Sequence, residues 1–287
     1  ILLLILSARL FWMQVVEGNY YKEEADGNRI RHLPQQAARG VMYDRNGVIM
    51  AGSRPAYSVI MPVERKKNTL SDEELDRLAA LLKVKPEDIK KKIDDNKLAF
   101  GAIYLANDVG IDVATQIEEK KDDFPGIEIE VNPLRVYPLG AAGAQELGYV
   151  GEAGPDDRDA EGNPYKTATL VGRSGLERQY NKFLEGKNGS KTVEVNASGQ
   201  PVRYVEGTPA VSGNNVRLTL DANLQKAAED AMETQVRTLA HSGVFPTGAS
   251  AVAIDPNTGA VLAMVSWPSY DPNHFSKGIT ADEWNKI

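Results

Sequence analysis

The sequence predicts an α+β protein with a small head of alternating helices and strands, followed by more loosely patterned segments and then one helix and one hairpin. Helical and strand periodicities interleave between about residues 56 and 132, which is typical of a compact α+β head. Residues 149–164 are dense in Gly, Asp and Pro and indicate a loop, and strand patterns return only at residues 192–195 and 201–205. A stretch without periodicity, residues 209–215, marks a boundary before the last helix and hairpin.

The first element is an apolar stretch that runs to Val16 with few polar interruptions. Because a membrane-spanning helix needs about 20 apolar residues, we interpret residues 1–18 as the outer part of a transmembrane helix. Phe11, Trp12 and Tyr20 occupy positions where aromatic residues settle at a membrane interface. A signal peptide is not expected, because a basic leading region and a small-residue cleavage site are both missing. A buried soluble helix is the alternative interpretation.

The head begins with a strand and a helix. Residues 57–61 form a short run rich in strand-forming residues, closed by Pro62. Ser71 and Glu74 match a capping box, in which both side chains satisfy exposed amides at the start of a helix. Apolar residues then recur at helical spacing and predict one buried face, which consists of Leu75, Leu78, Ala79 and Leu82.

Two further helices and a strand complete the head. Pro86 is placed to begin a helix that carries two isoleucines, Ile89 and Ile93, inward. The apolar spacing over residues 111–117 predicts a third helix, which Pro125-Gly126 ends. The alternation over residues 127–131 then predicts a strand with one buried face.

The last elements are a capped helix and a hairpin. Asp221 can cap a helix with an apolar stripe formed by Leu224, Ala228, Ala231, Met232 and Leu239. Two apolar runs, residues 249–254 and 260–265, are joined by a turn that has Pro early and Gly late. Because both runs are continuously apolar, we expect both faces of this hairpin to be covered, as in the first strands of a larger sheet.

Composition excludes several functional classes. A chain of 287 residues suggests about two domains of ~100–200 residues each. The net charge of −7 argues against a nucleic-acid partner, and the absence of cysteine excludes disulfides and thiolate chemistry. No metal or cofactor is expected. Residues 157–168 resemble an EF-hand loop that ends on Ala instead of Glu, and residues 186–192 resemble a phosphate loop with the wrong glycine spacing.

Three separated motifs carry the candidate functional residues: Arg39–Gly47, Arg135–Gly140 and Gly172–Gly189. Asp44 is expected to pair with Arg39 or Arg45, and a catalytic role for it is disfavoured because no second acid or histidine is placed to work with it. The glycines are better explained by backbone conformations than by a ligand. The candidate residues are Arg39, Gly40, Asp44, Arg45, Gly47, Arg135, Tyr137, Pro138, Gly140, Gly172, Gly175, Glu177, Tyr180, Gly186 and Gly189.

In this order the three motifs resemble the non-catalytic N-terminal half, or pedestal, of class B penicillin-binding proteins. These are membrane-anchored transpeptidases that cross-link bacterial peptidoglycan. Two later segments, Leu218–Gln225 and Ala263–Asn273, are similar to the opening of the family's transpeptidase domain. The resemblance implies an elongated pedestal at residues 19–208 and the start of an α/β transpeptidase domain at residues 216–287. It also implies that Arg39, Arg135 and Glu177 tie the segments of the pedestal together.

The resemblance implies an activity for which the sequence lacks the nucleophile. Transpeptidases of this family use a Ser-x-x-Lys pair to form an acyl-enzyme. None of the serines in this sequence is followed by lysine three positions later. In the family the nucleophile follows the segment matching Asp271–Asn273 by a few tens of residues, so we expect it beyond Ile287. We expect the chain as given to be inactive, which leaves open whether the protein is an enzyme.

Within the family, the sequence resembles the elongation branch more than the division branch. Asn28–Arg31, Gly148–Glu152 and Val195–Gly199 carry this likeness. It implies a single-pass protein of the bacterial cytoplasmic membrane whose bulk is extracytoplasmic. The implied partners are a polytopic glycan polymerase, elongation scaffold proteins and, for the full-length protein, peptidoglycan stem peptides. The alternatives are a non-catalytic partner-binding module and a division-type class B protein.

Overall fold

The structure is a computed structural model that describes residues 9–12, 30–62, 70–95, 102–154, 156–159, 162–165, 169–195 and 201–277. Most of the predicted transmembrane segment lies outside these residues. Within the described ranges no helix is both long enough and apolar enough to cross a membrane. The chain divides into two units, one formed by the residues up to Gln35 together with residues 188–210, and the other by residues 36–187 and 211–287.

The strands in chain order are β1 (Ile30–Gln35), β2 (Met42–Tyr43), β3 (Ile49–Pro62), β4 (Ala102–Val109), β5 (Glu128–Val136), β6 (Val150–Glu152), β7 (Leu170–Gly172), β8 (Gly189–Val195), β9 (Pro201–Thr208), β10 (Val216–Arg217), β11 (Ala249–Ile254) and β12 (Val261–Trp267). The helices are α1 (Asp72–Leu82), α2 (Pro86–Asp95), α3 (Ile111–Glu119), α4 (Ala144–Leu147), α5 (Gly175–Gln179), α6 (Asn181–Leu184), α7 (Ala222–His241) and α8 (Asn273–Ser276). This mixture confirms the predicted α+β class.

The first unit contains a three-stranded antiparallel sheet in the order β1-β8-β9. Its register sets Ile30 opposite Glu194 and Gln35 opposite Gly189. The strands predicted near residues 192–195 and 201–205 are therefore present. β1 pairs with a strand that follows it by about 160 positions, and residues 36–187 between them belong to the second unit.

The second unit is organised around β3, a strand of 14 residues that is much longer than the predicted run at residues 57–61. Its first residues pair with β2, its last residues pair antiparallel with β4, and β5 lies along it from Gly52 to Ile60. β10 joins β2 in parallel. A single strand thus extends from the Arg39 motif into the head.

The core of the head is apolar and follows the predicted periodicities. The capping box is confirmed, with Glu74 N donating to Ser71 Oγ and Ser71 N donating to the Glu74 carboxylate. The buried face of α1 packs with the two isoleucines of α2 in one cluster, centred on Leu78, Ile89 and Ile117. The prediction for β5 is partly wrong. The cluster extends to Ile129, while Val131, two residues further along, is 58% exposed.

Two corrections concern the segments outside the head. Residues 149–164 are not a continuous loop, because Val150–Glu152 pairs antiparallel with Leu170–Gly172. The predicted stripe of α7 is partly exposed, as at Leu224, because the helix instead turns Ala222, Gln225 and Val236 inward. A buried glutamine on the packing face is invisible to an apolar pattern.

The last hairpin is confirmed as β11 paired antiparallel with β12, and Asp221 caps α7 by accepting from Asn223 N and Leu224 N. α7 packs mainly on β12. Within the described residues one face of the hairpin is left uncovered, since Val252 and Ile254 are more than half exposed. The apolar runs therefore predict the strands correctly, and coverage of both faces by a larger sheet stays a prediction.

Candidate functional site

The three motifs meet at one buried carboxylate, that of Glu177 on α5. Glu177 is fully buried, and its oxygens are shared between two arginines from distant segments. Oε1 accepts from Arg135 Nε at 2.6 Å, and Oε2 accepts from Arg39 Nη2 at 2.8 Å and Arg39 Nε at 3.2 Å. Arg39 lies in the segment between β1 and β2, and Arg135 near the end of β5. We call Arg39, Arg135, Tyr137 and Glu177 the Glu177 network.

The remaining donors of the Glu177 network are mostly satisfied by nearby oxygens. Arg39 Nη1 donates to Asn181 Oδ1 at 3.0 Å, and Arg135 Nη1 donates to the Gly40 carbonyl at 2.7 Å. Tyr137 donates its hydroxyl to Glu177 Oε1 at 3.2 Å. Arg135 Nη2 is buried without a hydrogen-bond partner among the described residues. The cluster is thus closely bonded around one carboxylate.

The electrostatics of the Glu177 network favour a structural role. Burial raises the pKa of Tyr137 well above its ordinary value of 10.0, and the charge of Glu177 raises it further, so the phenol remains a hydrogen-bond donor. Two guanidinium groups flank one carboxylate, and removing one partner of such a buried set leaves an uncompensated charge. The network contains no nucleophile paired with a base, so its arrangement binds segments together without supplying acid–base or nucleophilic chemistry.

Asp44 does not pair with Arg39 or Arg45, which corrects the sequence prediction. The buried carboxylate of Asp44 accepts from the main-chain amides of Asn46 at 2.7 Å, Val48 at 2.8 Å and Ala222 at 3.0 Å. Arg45 is exposed. Burial alone would raise the pKa of Asp44, but the hydrogen bonds from Ala222, Val48 and Asn46 outweigh it and lower the pKa below 3.8. The turn that follows Asp44 brings the amides of Asn46 and Val48 close to the Asp44 carboxylate.

The same turn joins the first motif to the segment that leads into α7. Gly47, at φ 91°, completes the tight turn between β2 and β3, as the Asn-Gly pair predicts. Arg45 N donates to the Leu220 carbonyl at 2.8 Å, and Asn46 Nδ2 donates to Asp221 Oδ2 at 3.0 Å. Together with the bond from Ala222 N to Asp44, these contacts anchor the start of α7 to the first motif.

The motif glycines serve close approaches and turns. A Cβ on Gly40 would lie 1.8 Å from the Asn214 carbonyl oxygen, and one on Gly172 would lie 2.0 Å from the Glu177 carbonyl oxygen. A side chain at either position would push apart segments that the Glu177 network holds together. Of the remaining candidates, Gly140, Gly175 and Gly186 have positive φ, Gly189 closely approaches Thr208, Pro138 lies in the turn after β5, and Tyr180 is partly exposed.

Tyr137 also contacts the end of the described chain, through the residue Asn273. Tyr137 N donates to Asn273 Oδ1, and Asn273 Nδ2 donates to the Tyr137 carbonyl, both at 2.9 Å. Gln225 forms the same kind of two-point contact with the main chain of Met264. Sequence reasoning missed the roles of Asn181, Gln225 and Asn273. Gln225 lies between Leu224 and Lys226 on a helix with many polar residues, so the local pattern gives no signal for its burial.

No site suited to a metal ion is found in the described ranges, where no group of three or more His, Asp or Glu side chains converges. Of the two fully buried carboxylates of the motifs, Glu177 is bound by arginine donors and Asp44 by main-chain amides. The geometry therefore describes a junction of segments, with its polar groups directed at one another.

Comparison with known proteins gives two family matches along the chain. Residues 34–218 match the Penicillin-binding Protein dimerisation domain, and residues 249–286 match the Penicillin binding protein transpeptidase domain. The first match includes the Glu177 network, and the second includes β11, β12 and Asn273. The two matched regions therefore meet at the contact between Tyr137 and Asn273.

Similar full-length proteins are peptidoglycan D,D-transpeptidases. MrdA of Escherichia coli K12 is 32% identical over 99% of this chain, and MrdA of Acinetobacter baumannii is 30% identical over 100%. FtsI of E. coli K12 is 29% identical over 96%. This chain spans 44%, 41% and 43% of those proteins, respectively, which is less than half of their lengths.

Two solved structures from Helicobacter pylori are also similar. One is a complex between penicillin-binding protein PBP2 and MreC, which matches with a TM-score of 0.69 and 27% identity and covers 90% of this chain and 47% of the other. The second is PBP2 itself, with a TM-score of 0.63, 25% identity, and coverage of 89% and 47%. The fold described above is thus shared with solved proteins over most of its length.

Proposed function

Because this chain belongs to the class B penicillin-binding proteins, we propose that it is the pedestal and the beginning of the transpeptidase domain of an elongation-type peptidoglycan transpeptidase. The observation that carries the proposal is the convergence of Arg39, Arg135 and Tyr137 on Glu177. The Glu177 network joins three segments of the dimerisation-domain match. Through Tyr137 it also contacts the transpeptidase match directly.

The role proposed for this stretch is positioning. The first motif anchors the start of α7 through Asp44, and the second motif contacts Asn273 through Tyr137. Catalysis depends on holding reacting groups in a fixed geometry, and a displacement of about 1 Å costs roughly 100-fold in rate. A rigid pedestal would hold the first elements of the transpeptidase domain while the catalytic serine is acylated by a D-Ala-D-Ala stem peptide.

The elongation branch is supported by the relatives. MrdA proteins match nearly the whole chain at 30–32% identity, compared with 29% for FtsI. One similar structure is a complex of PBP2 with MreC, so we propose an elongation scaffold protein as a partner of the pedestal. We also propose a polytopic glycan polymerase as a partner. We further propose a single membrane helix whose outer part is residues 1–18, and an extracytoplasmic location for the rest of the chain.

The proposal is tested on the complete gene that contains this sequence. We expect a Ser-x-x-Lys pair downstream of Ile287 and labelling of the complete protein by a fluorescent penicillin in denaturing electrophoresis. Replacing the serine of that pair with alanine is the matched control and should abolish the labelled band. A complete protein that is not labelled would favour the alternative of a non-catalytic partner-binding module.

Complementation separates the elongation branch from the division branch. The gene should restore rod shape in cells depleted of their elongation transpeptidase and should leave filamentous cells depleted of the division transpeptidase unrescued. Rescue of division alone would overturn the elongation assignment and leave the transpeptidase assignment intact.

A further inference from the structure

One of the contacts between the two family matches joins main-chain groups of Tyr137 to the carboxamide of Asn273. Asn273 Oδ1 accepts from Tyr137 N, and Asn273 Nδ2 donates to the Tyr137 carbonyl, each at 2.9 Å. Because one group of Tyr137 donates and the other accepts, just one orientation of the carboxamide satisfies both. No acid, alcohol or amine side chain of similar size offers the same donor and acceptor pair in one plane.

Asn273 is itself held in place for this contact. Asp271 Oδ1 accepts from Asn273 N at 2.9 Å and from Asn273 Nδ2 at 2.7 Å. The second hydrogen of the carboxamide is therefore used inside its own segment, while the first reaches Tyr137. Asp271 thus orients the Asn273 carboxamide. The carboxamide in turn holds the segment Asp271–Lys277 against the turn after β5.

Tyr137 belongs at the same time to the Glu177 network. Its ring is almost fully buried, and its hydroxyl donates to Glu177 Oε1 at 3.2 Å. Its side chain thus contacts the carboxylate that holds both arginines, and its main chain contacts Asn273.

Other contacts of this segment, and of Tyr270 directly before it, reach residues outside the Glu177 network. Tyr270 donates its hydroxyl to the Ala144 carbonyl at 3.0 Å, and Phe275 stacks on Tyr149 with ring centroids 4.0 Å apart. These contacts attach the segment to the turn between β5 and β6. These contacts do not depend on Glu177. Removing the Asn273 side chain should therefore loosen the segment without detaching it.

We propose that Asn273 is a positioning residue that couples the segment Asp271–Lys277 to the Glu177 network through Tyr137. The effect on catalysis rests on the proposed function, since this segment lies in the transpeptidase match. In the complete protein, the segment transmits the position of the pedestal to the transpeptidase domain. The coupling itself is a property of this chain and is measurable without any activity.

The first test is a double-mutant cycle followed by amide hydrogen exchange in this chain. Asn273→Ala removes three side-chain hydrogen bonds, two with Tyr137 and one with Asp271. Exchange in residues 269–277 should therefore become about tenfold faster. Tyr137→Phe removes the hydroxyl that donates to Glu177 and keeps the ring and the main-chain groups. It should accelerate exchange of the same residues in the wild-type background and have little effect in the Asn273→Ala background. Such non-additivity identifies coupling, which a merely structural asparagine would not show.

Three control measurements accompany the exchange cycle. His274→Ala changes the exposed neighbour of Asn273 and should leave exchange in residues 269–277 unchanged. Amides of β4 in the head serve as an internal reference for global unfolding. Asn273→Asp keeps the acceptor but sets an oxygen against the Tyr137 carbonyl, and it should accelerate exchange at least as much as Asn273→Ala. Additive effects of the two substitutions, or unchanged exchange in Asn273→Ala, would overturn the proposal.

The second test uses the complete protein and measures the rate constant for acylation by a fluorescent penicillin. Asn273→Ala should lower it about tenfold while the thermal midpoint of the pedestal stays within about 2 °C of wild type. A fall in the thermal midpoint with unchanged acylation would refute positioning. If the wild-type protein is not acylated, the proposed function fails, and the exchange cycle still decides whether Asn273 couples the two regions.

Discussion

The head and the Glu177 network are both buried, and they are held by opposite kinds of chemistry. In the head, Leu78, Ile89 and Ile117 have essentially no exposed surface and contact other apolar side chains. In the network, Arg39, Arg135 and Glu177 are equally hidden, and each carries a charge. Apolar contacts are non-directional, whereas charged hydrogen bonds require a specific donor at a specific place. The head should therefore tolerate changes that keep volume, and the network should tolerate changes that keep charge.

The strongest test of this comparison is Glu177→Gln, which keeps the shape of the side chain and removes its charge. Because two buried guanidinium groups would lose their counter-charge, we expect the free energy of unfolding to fall by about 3–5 kcal/mol. Urea unfolding of residues 30–277 measures it. Glu118→Gln, at a half-exposed position on α3, is the matched control and should change stability by less than about 0.5 kcal/mol. A loss below about 1 kcal/mol for Glu177→Gln would mean that charge is unimportant in the network.

In the head, the informative pair of substitutions is Leu78→Ala and Leu78→Met. Leu78→Ala leaves a cavity in the apolar cluster and should cost about 2–5 kcal/mol. Leu78→Met nearly conserves volume and should cost less than about 1.5 kcal/mol. The same urea unfolding experiment measures both. If the methionine variant were as unstable as the alanine variant, the head would depend on shape as strictly as the network depends on charge.

Asp44 gives a pH-dependent test. Its folded-state pKa is lowered below 3.8, so its ionised form stabilises the fold above that pH, and the contribution is lost as the pH falls through the folded pKa. Asp44→Asn should lower the free energy of unfolding by roughly 1–3 kcal/mol at pH 7, and the difference from wild type should shrink below pH 3.8. Unfolding curves at several pH values measure this. A difference that did not change with pH would show that the charge of Asp44 is not what its amide partners recognise.

The smallest effect is expected at Arg45. It is exposed, and the contacts at this position, to Leu220 and Arg217, involve its main chain. Arg45→Ala should therefore change the free energy of unfolding by no more than about 0.5 kcal/mol. Arg39→Ala, six residues earlier in the same motif, should be far more damaging. Equal effects of the two substitutions would remove the distinction between buried and exposed arginines on which the comparison rests.

The sequence was sufficient to predict the helices and the apolar core of the head, because these depend on local patterns. The capping box at Ser71 and Glu74 and the inward isoleucines of α2 were found from spacing alone. The hairpin of β11 and β12 was found from two apolar runs and a turn. Each of these signals lies within about 20 residues, so no knowledge of distant contacts was needed.

The polar partners were harder to predict, because hydrogen bonds between distant residues leave no periodicity. Asp44 was expected to pair with a neighbouring arginine, yet one of its donors is Ala222, 178 positions away. The family resemblance pointed to roles for Arg39, Arg135 and Glu177. Asn181 and Asn273 lie inside segments that carry the resemblance, but it implied no role for either side chain. The sequence shows which residues carry a charge, but it does not show which distant residues they contact in the fold. The predicted apolar stripe of α7 is partly wrong for a related reason, since one of the residues that the helix buries is the polar Gln225.

The separation of Arg39 from Glu177 by 138 positions has a consequence for biosynthesis. At about 5–20 residues per second, the ribosome makes Glu177 roughly 7–28 seconds after Arg39. The head, whose strands β3, β4 and β5 all end by Val136, can assemble within that interval, while Arg39 and Arg135 remain hydrated. Long-range pairing is slow because the connecting chain must first be closed into a loop. We therefore expect the head of the nascent protein to fold first. Arg39 and Arg135 would pair with Glu177 only after Glu177 has been synthesised.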